Sequence, residues 1–352
     1  MVTMRFKCPS CGEIASFSGG PGEELVVTCP SCMLSGKIRF PEDQEASYAI
    51  EVSHLKKVYG DLIAVNDISF KVRKGEVFAF LGPNGAGKTT TVEIIESIRE
   101  PTAGTVTLLG EDTRTGFNKV KERISILPQE FHSFERFTVR ETLEYFSYLY
   151  QKRADIEGII AAMDLESHEK MLYRTLSGGL KQRVGVALSL VNDPDIVFLD
   201  EPTTGLDPKA RREVWQVIAN LRAQGKTVFL TTHYMEEAEF LADHIAIIHK
   251  GRIIAEGSLD HLITKYGQGS VLRIQGCTSP DAIAILKEQG YDAHSEGNGS
   301  LAVTITYKDR VLDVLSTLRH AAVDYESIEI RRSNLEEVFL TLTGAKLLEA
   351  EA

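Results

Sequence analysis

Short apolar runs separated by polar or glycine-rich segments begin near residue 48. The first four are predicted strands, at 50–55, 62–65, 68–72 and 77–81. The last of them is continuously apolar, which is typical of a strand buried on both faces of a sheet. The glycine-rich segment 82–87 ends this strand, and the pattern of 88–98 predicts a helix. A glycine-rich loop between a buried strand and a helix is the usual setting of a phosphate-binding site.

Strands and helices alternate again further along the chain. The predicted strands are 196–199, 227–231 and 245–248, and the predicted helices are 209–224 and 234–241. This alternation indicates an α/β sheet. Two other helical segments, 139–152 and 156–164, lie between the two halves of the pattern, and Thr138 is placed to cap the first of them. We therefore predict a helical subdomain at this point in an α/β domain.

The two ends of the chain have patterns of their own. After residue 267 the predicted strands are 271–275, 301–307 and 325–331, and the predicted helices are 280–288, 310–318 and 334–342. Two strand–helix pairs with a further strand suggest a small α+β domain of ferredoxin-like order. An acidic, polar linker at 42–47 separates the first 42 residues from the rest. We predict three domains, at 1–42, 48–267 and 268–345.

Composition narrows the classes of function. The 352 residues carry a formal net charge of −11, with 43% hydrophobic and 25% charged residues. The apolar content is that of a globular protein, and the acidic balance argues against nucleic acid as the main partner. No apolar run approaches the roughly 20 residues that a membrane-spanning helix needs, and the first residues lack the apolar core of a signal peptide. We expect a cytoplasmic chain, whose work at a membrane would require a separate membrane-spanning partner.

The loop after the buried strand fits the pattern G-x-x-x-x-G-K-[ST], with the residues Gly82, Pro83, Asn84, Gly85, Ala86, Gly87, Lys88 and Thr89. Its glycines allow backbone N–H groups to turn towards phosphate oxygens. The following helix adds the positive end of its dipole. The Lys88 ammonium would reach the β- and γ-phosphates of ATP, and the Thr89 hydroxyl would bind Mg²⁺.

A pair of acidic residues follows the apolar strand at 196–199. Asp200 and Glu201 come directly after it. An aspartate at the end of a buried strand is suited to hold Mg²⁺, directly or through water. The neighbouring Glu201 is placed to polarise the water that attacks the γ-phosphate. Alone, this pair would equally fit an acidic turn after a core strand.

The sequence Leu176-Ser177-Gly178-Gly179, followed by Lys181-Gln182-Arg183, resembles the signature motif of ABC ATPases. The other motifs of that family are present in the right order over roughly 48–267. Tyr59 resembles the aromatic residue that stacks on adenine, Gln129 the Q-loop glutamine and His233 the switch histidine. Asp207, in Gly205-Leu206-Asp207, resembles the D-loop aspartate. The resemblance covers about two thirds of the chain and implies a P-loop ABC ATPase domain with a helical subdomain.

The resemblance also implies how these residues act. Two ATPase domains pack head to tail, so that Ser177, Gly178 and Gly179 contact ATP held by the phosphate loop of the partner. His233 would hold the γ-phosphate, and Gln129 would sense Mg²⁺ and the attacking water. Asp207 would couple the two sites, and Thr90 would join the phosphate loop as a nucleotide contact. Leu180 stands where the family usually has glutamine, and we expect activity to survive this departure.

Four of the five cysteines form two pairs near the N-terminus. Cys8 and Cys11, then Cys29 and Cys32, make the pattern C-x₂-C-x₁₇-C-x₂-C, with a glycine-rich hairpin signal at 18–22 between them. This spacing is typical of a zinc ribbon, and four thiolates suit tetrahedral Zn²⁺. Iron would fit the same cage, and an iron–sulfur cluster is a less favoured alternative. A structural role is expected because about 40 residues cannot build a sufficient core, while recognition of protein or nucleic acid is the rival role.

The resemblance extends to the kind of work that the ATPase drives. The segment at 131–138, after Gln129, is where such subunits dock on a permease, and the segment 333–340 resembles the end of drug-export subunits related to daunorubicin exporters. We therefore expect an exporter subunit at the cytoplasmic face of a membrane, with a permease and a second ATPase copy as partners. A non-transport ABC ATPase that acts on ribosomes or DNA through the cysteine unit is the alternative. A regulator that binds ATP without turnover conflicts with the presence of Glu201 and His233.

Overall fold

A computed structural model describes residues 2–7, 11, 14–19, 24–39, 47–129, 131–152, 154–267, 269–276, 281–297, 300–305, 310–321, 323–331 and 333–344. The chain divides into two compact units, Met1–Tyr48 and Ala49–Ala352. Within the described residues, no helix has both the length and the apolar character that a membrane crossing requires.

The first unit consists of two separate antiparallel hairpins. The strands are β1 (Val2–Lys7) with β2 (Ile14–Gly19), and β3 (Glu24–Thr28) with β4 (Ser35–Arg39). Of the described cysteines, Cys11 lies between β1 and β2, and Cys29 and Cys32 lie between β3 and β4. The sequence predicted a hairpin turn at 18–22, and this prediction was wrong. The strands on either side, β2 and β3, belong to different sheets.

The second unit begins with an α/β arrangement. Its strands are β5 (Tyr48–Tyr59), β6 (Leu62–Arg73), β7 (Val77–Leu81), β8 (Ala103–Leu108), β9 (Glu111–Asp112), β10 (Ile124–Leu127), β11 (Ile196–Asp200), β12 (Thr227–Thr232), β13 (His244–His249) and β14 (Arg252–Gly257). Its helices are α1 (Lys88–Ile95), α2 (Thr113–Val120), α3 (Val139–Ser147), α4 (Ile156–Ala162), α5 (Gly178–Leu188), α6 (Pro208–Ala223), α7 (Met235–Leu241) and α8 (Leu259–Tyr266).

The central sheet has the strand order β10-β11-β12-β7-β13-β14. All its neighbours are parallel except β13 and β14, which are antiparallel. A parallel sheet brings the carboxyl ends of its strands to one edge, where loops collect binding residues. The phosphate loop after β7, the acidic pair at the end of β11 and His233 after β12 therefore meet at this edge.

Two hydrophobic cores cover the faces of the central sheet. On one face, a second sheet of order β6-β5-β8-β9 packs through stacked aromatic rings, including Phe70 against Phe78 at 5.3 Å between centroids. On the other face, apolar residues of the helices surround β7, β11 and β12. The predicted helical subdomain is present as α3, α4 and α5, with Thr138 capping α3 in a capping box with Glu141.

The C-terminal part contains β15 (Ser270–Gln275), α9 (Ala282–Glu288), β16 (Asp292–Gly297), β17 (Ser300–Ile305), α10 (Arg310–His320) and β18 (Ser327–Arg331). Its strands form an antiparallel sheet of order β16-β17-β15-β18. Leu272, Ile274, Leu286 and Leu318 belong to a separate core between this sheet and the two helices.

The last helix corrects the predicted domain boundaries. The sequence assigned it to the C-terminal domain, 268–345, but α11 (Leu335–Thr343) packs on α7 and α8 of the ATP-binding part. Leu335, Val338 and Phe339 are fully buried in the core around the central sheet. The Leu335 N–H also donates to Glu239 Oε1 at 2.6 Å. The physical reason is the apolar face of this helix, which fills the core of the larger domain.

Several other bounds differ from the sequence predictions. The runs at 62–65 and 68–72 form a single strand, β6, and the helix predicted at 88–98 ends at Ile95. Ser97, two residues later, has a φ of 59°, a value that a helix cannot continue through. The helix predicted at 139–152 ends at Ser147. The sequence did not predict strands β8, β9, β10, β14 and β16 or helices α2 and α8.

Candidate functional site

The phosphate loop follows β7, whose five residues are all buried. Two of its glycines cannot be replaced without a clash. A Cβ on Gly82 would lie 2.3 Å from the Ile248 carbonyl oxygen, and a Cβ on Gly87 would lie 2.5 Å from the Ala64 carbonyl oxygen. Gly87 also has a φ of 104° and immediately precedes α1. Close packing of backbone on backbone therefore fixes both ends of the loop.

Lys88 is folded back over this loop. Its side chain is buried, and its Nζ donates to the carbonyl oxygens of Gly82 at 2.8 Å and Pro83 at 3.2 Å. The same nitrogen lies 3.2 Å from Glu201 Oε1. A positive charge is thus held at the mouth of the loop by carbonyl dipoles and by one carboxylate.

Glu201 stands in a tight network at the end of β11. Its φ of 48° is unusual for a residue with a side chain, and its N–H donates to Thr231 Oγ1 at 3.0 Å. Its Oε2 accepts from the Thr204 hydroxyl at 3.0 Å and lies 3.0 Å from His233 Nδ1. The structure therefore brings Lys88, Glu201 and His233 together as one charged cluster.

Burial and the neighbouring groups shift the pKa values of Glu201 and Asp200 in opposite directions. Desolvation acts to raise the pKa of Glu201, but the His233 hydrogen bond and the Lys88 charge outweigh it and lower this pKa to about 2. Glu201 is consequently an anion at neutral pH. Burial raises the pKa of Asp200, although its hydrogen bond from the Thr231 hydroxyl opposes that change.

A pocket of about 580 Å³ lies over the phosphate loop. It joins the loop to Tyr59 and Gln129 on one side and to Glu201 on the other. Its lining residues are Tyr59, Leu62, Ile63, Ala64, Pro83, Asn84, Gly85, Gly87, Lys88, Thr89, Thr90, Gln129, Glu201, Lys250 and Gly251. Tyr59 is partly exposed, with the cations of Lys57 and Arg99 at 5.1 Å and 5.4 Å from its ring centroid.

The signature residues and Asp207 do not line this pocket. Ser177 is exposed and caps α5, where its hydroxyl accepts from the Leu180 N–H at 3.3 Å. A Cβ on Gly179 would lie 2.8 Å from the Ala210 Cβ of α6, so a glycine permits close packing of the two helices. Asp207 caps α6, and chiefly the Ala210 N–H lowers its pKa.

Sequence reasoning missed several residues of the site. Thr231 and Thr204 orient the two acids, and Lys250 and Gly251 line the pocket. The Gly251 N–H donates to the Ala86 carbonyl oxygen at 2.9 Å, which supports the phosphate loop from behind. The only signal for Thr231 was its place at the end of a buried strand beside a second threonine. Lys250 and Gly251 gave no signal beyond that of a turn.

The described cysteines of the first unit converge. The Sγ atoms of Cys11, Cys29 and Cys32 all lie within 4.8 Å of one another, and those of Cys11 and Cys29 are 3.6 Å apart. Backbone hydrogen bonds from the N–H of Met33 to Cys29, at 3.0 Å, and from the N–H of Cys29 to Leu34, at 2.9 Å, form the tight turn that presents two of them. Cys8, the fourth predicted ligand, lies outside the described residues.

Comparison with known proteins agrees with the motifs. A family model described as ABC transporter matches residues 65–204. A Nod factor export ATP-binding protein I from Burkholderia orbicola is 39% identical over 304 residues, covering 85% of this chain and 98% of that protein. A daunorubicin resistance ATP-binding protein from Streptomyces coeruleorubidus is 37% identical over 307 residues, covering 85% of this chain and 97% of that protein.

Solved structures show the same fold. A dimeric ATP-binding cassette, determined in a post-hydrolysis state with ADP and Pi, is 27% identical with a TM-score of 0.53. The match covers 59% of this chain and 98% of that one. The predicted P-loop ABC ATPase fold is therefore confirmed, as is the prediction of an ATP-hydrolysing subunit. The phosphate loop, the acidic strand end and the relatives that match most of its length show that the chain belongs to the family of ABC transporter ATP-binding proteins.

Proposed function

We propose that this chain hydrolyses ATP in the pocket over its phosphate loop and thereby drives export through a separate membrane permease. The observation that carries the proposal is the cluster at the pocket, where the ionised Glu201 carboxylate lies 3.2 Å from the buried Lys88 ammonium and 3.0 Å from the His233 ring. Both relatives described above are named as export or drug-resistance ATP-binding proteins. The non-transport alternative is not favoured by these comparisons.

Each residue of the cluster has a task in this mechanism. Lys88 neutralises charge on the transferred phosphoryl group, while Tyr59 stacks on the adenine. Glu201 accepts hydrogen bonds as a carboxylate, so it can orient the attacking water and draw on its proton. His233 holds Glu201 through Nδ1 and leaves its other ring nitrogen for the γ-phosphate. Catalysis then rests on fixed positions and charges rather than on covalent chemistry.

Oxygen donors for Mg²⁺ are present at the same edge of the sheet. Thr89 and Gln129 line the pocket, and the Asp200 carboxylate is held by the Thr231 hydroxyl. Hydroxyl, amide and carboxylate oxygens are the ligands that Mg²⁺ prefers, so these residues fit the ion. When bound, Mg²⁺ would neutralise charge on the β- and γ-phosphates.

A second copy of the chain is proposed to complete the site. Ser177 and Gly178 are exposed and lie outside the pocket of their own chain, while the related cassette described above was solved as a dimer. The N-terminus of α5 offers N–H groups that favour an anion. Head-to-tail pairing would bring this end to the ATP of the partner, and Asp207 would lie near the shared interface.

The permease is proposed to dock on an aromatic surface of the helical subdomain. Phe134, Phe137, Tyr145 and Phe146 form a contiguous cluster, with Phe134 at 5.3 Å from Tyr145 between ring centroids. Phe134 and Tyr145 are 47% and 44% exposed, which is unusual for neighbouring large apolar side chains. The cluster follows Gln129, so contact there would be sensed near the pocket. With the permease docked on this surface, we propose that the chain lies on the cytoplasmic face of the membrane.

We propose Zn²⁺ as the ligand of the cysteine unit. Thiolates about 2.3 Å from a tetrahedral zinc are separated by about 3.8 Å, and the Cys11–Cys29 separation of 3.6 Å fits this cage. Cys32 and Cys8 would supply the other two ligands. The ion would join two hairpins that are too small to build a core of their own.

For the C-terminal part, the βαββαβ order supports a ferredoxin-like packing module.

The nucleotide site is tested by replacing Lys88 with alanine. Lys88→Ala removes the charge at the mouth of the loop, so we expect ATP turnover to fall at least about 100-fold. The control is Lys74→Ala, an exposed lysine outside the pocket, which should keep the wild-type rate. Equal turnover in the wild type and Lys88→Ala would refute the proposed site.

A further inference from the structure

Glu237 is a fully buried carboxyl in α7 that the proposed mechanism does not use. Its Oε1 accepts two hydrogen bonds, from Thr203 Oγ1 at 2.8 Å and from Trp215 Nε1 at 2.9 Å. Burial raises the pKa of this carboxyl above its ordinary value, while the hydroxyls of Thr232 and Thr203 oppose that change. Burying a polar group is costly unless it is hydrogen-bonded, and hydrogen bonds in the low-dielectric interior hold their partners in fixed positions.

The two donors come from elements on either side of Asp207. Thr203 lies in the loop between Glu201 and Asp207, and its neighbour Thr204 donates to Glu201 Oε2 at 3.0 Å. Trp215 lies in α6, the helix that Asp207 caps. One carboxylate oxygen therefore fixes both the loop that carries Glu201 and the helix that follows it.

The acceptor itself belongs to the segment that carries His233. Tyr234 follows this histidine, with the two ring centroids 4.0 Å apart, and the Arg211 guanidinium of α6 lies 3.9 Å from the Tyr234 ring centroid. Helix α7 begins one residue later. A buried hydrogen-bonded tie and a cation–π contact thus join the His233 segment to the Asp207 helix.

We propose that Glu237 is a positioning residue, which holds the loop from Glu201 to Asp207 and the segment that carries His233 in a fixed relation. The positions of Glu201 and His233 at an ATP site then respond to a movement of Asp207, the D-loop residue. The inference rests on the proposed roles of Glu201 and His233. The Oε1 hydrogen bonds of Glu237 reach Thr203 and Trp215 rather than Glu201 or His233, so it acts through these two partners. Its effect should fall on turnover rather than on ATP affinity, because neither Glu237 nor these partners are among the described residues that line the pocket.

The test compares Glu237→Ala with Glu237→Gln and with Glu236→Ala, an exposed glutamate on the same helix. The alanine variant should lower kcat about tenfold, the factor that corresponds to losing about one buried hydrogen bond from the transition state, with KM for ATP unchanged within about twofold. The glutamine variant keeps a carbonyl acceptor and should restore most of kcat. Glu236→Ala should match the wild type.

Thr203→Val supplies a variant that removes one donor and keeps the carboxyl, should Glu237→Ala fail to fold. The double variant Thr203→Val/Glu237→Ala should be no slower than Glu237→Ala, because both changes break the same tie. Additive losses, or a rise in KM with unchanged kcat, would overturn the inference. Glu201→Gln, measured in the same assay, distinguishes the two hypotheses. Normal turnover in Glu201→Gln refutes the proposed function. Lost turnover in Glu201→Gln together with normal turnover in Glu237→Ala refutes only the positioning role.

Discussion

Replacing Gly87 with alanine tests whether the phosphate loop has the backbone that the structure shows. The new Cβ would lie 2.5 Å from the Ala64 carbonyl oxygen, at a φ of 104°. The left-handed backbone costs about 1–2 kcal/mol, and crowding against a fixed carbonyl adds about 1–3 kcal/mol. Together they would lower the free energy of unfolding by about 2–5 kcal/mol, a large share of the stability of an ordinary domain.

Gly85→Ala is the matched control for this prediction. Gly85 also has a positive φ, of 74°, but a Cβ there meets no atom within 4 Å. Its alanine variant should therefore lose only the backbone part, about 1–2 kcal/mol. Urea unfolding without nucleotide, followed by the fluorescence of Trp215, reports on the ATP-binding part because this is the only tryptophan. Equal destabilisation of the two variants would refute the close approach of Gly87 to Ala64.

Three further outcomes follow from other parts of the chain. Burial raises the pKa of Glu96 from 4.5 to about 8, with acidic neighbours acting in the same direction. The stability that the neutral Glu96 carboxyl contributes is therefore complete below pH 4.5 and is lost as the pH rises from there through about 8. Glu96→Gln should consequently stabilise the protein at pH 7 by on the order of 3 kcal/mol, and by less at pH 5, in urea unfolding. An equal effect at the two pH values would contradict this reasoning. Cys29→Ser should remove bound zinc, measured by elemental analysis of the purified protein, whereas Cys277→Ser should keep it; zinc retained in both variants would exclude this site. Phe134→Ser should weaken co-purification of the permease and leave basal ATPase activity unchanged, whereas Leu312→Ser, at an exposed position, should leave both unchanged. Undiminished co-purification of the permease with Phe134→Ser would refute the proposed docking surface.

The motifs at the sheet edge could be predicted because each needs particular residues in a fixed order. Lys88, Asp200 and His233 follow strands whose apolar runs are plain in the sequence. The signature residues were found by resemblance, but their distance from the pocket of the same chain depends on how α5 packs against α6. No pattern in one stretch of sequence carries that information, since Gly179 and Ala210 are far apart along the chain.

Other features came only from tertiary contacts. The helix at Leu335 has the same apolar periodicity whether it covers the C-terminal sheet or the central one, so the sequence could not assign it to a core. Glu237 reads as one acid in an acidic helix, Glu236-Glu237-Ala238-Glu239, and burial alone distinguishes it from its exposed neighbour. The pairing of strands around the cysteine loops was hidden by a glycine-rich turn signal at 18–22 that proved to connect two sheets.

The central claim is that Glu201 activates water in an ATP site that a second copy completes. Glu201→Gln keeps the shape of the side chain and removes its charge. With ATP and Mg²⁺, sedimentation and turnover measured on one sample should show a stable dimer, with hydrolysis lowered at least about 100-fold and ATP still bound. Turnover near the wild-type rate, or a monomer that binds ATP, would contradict the account.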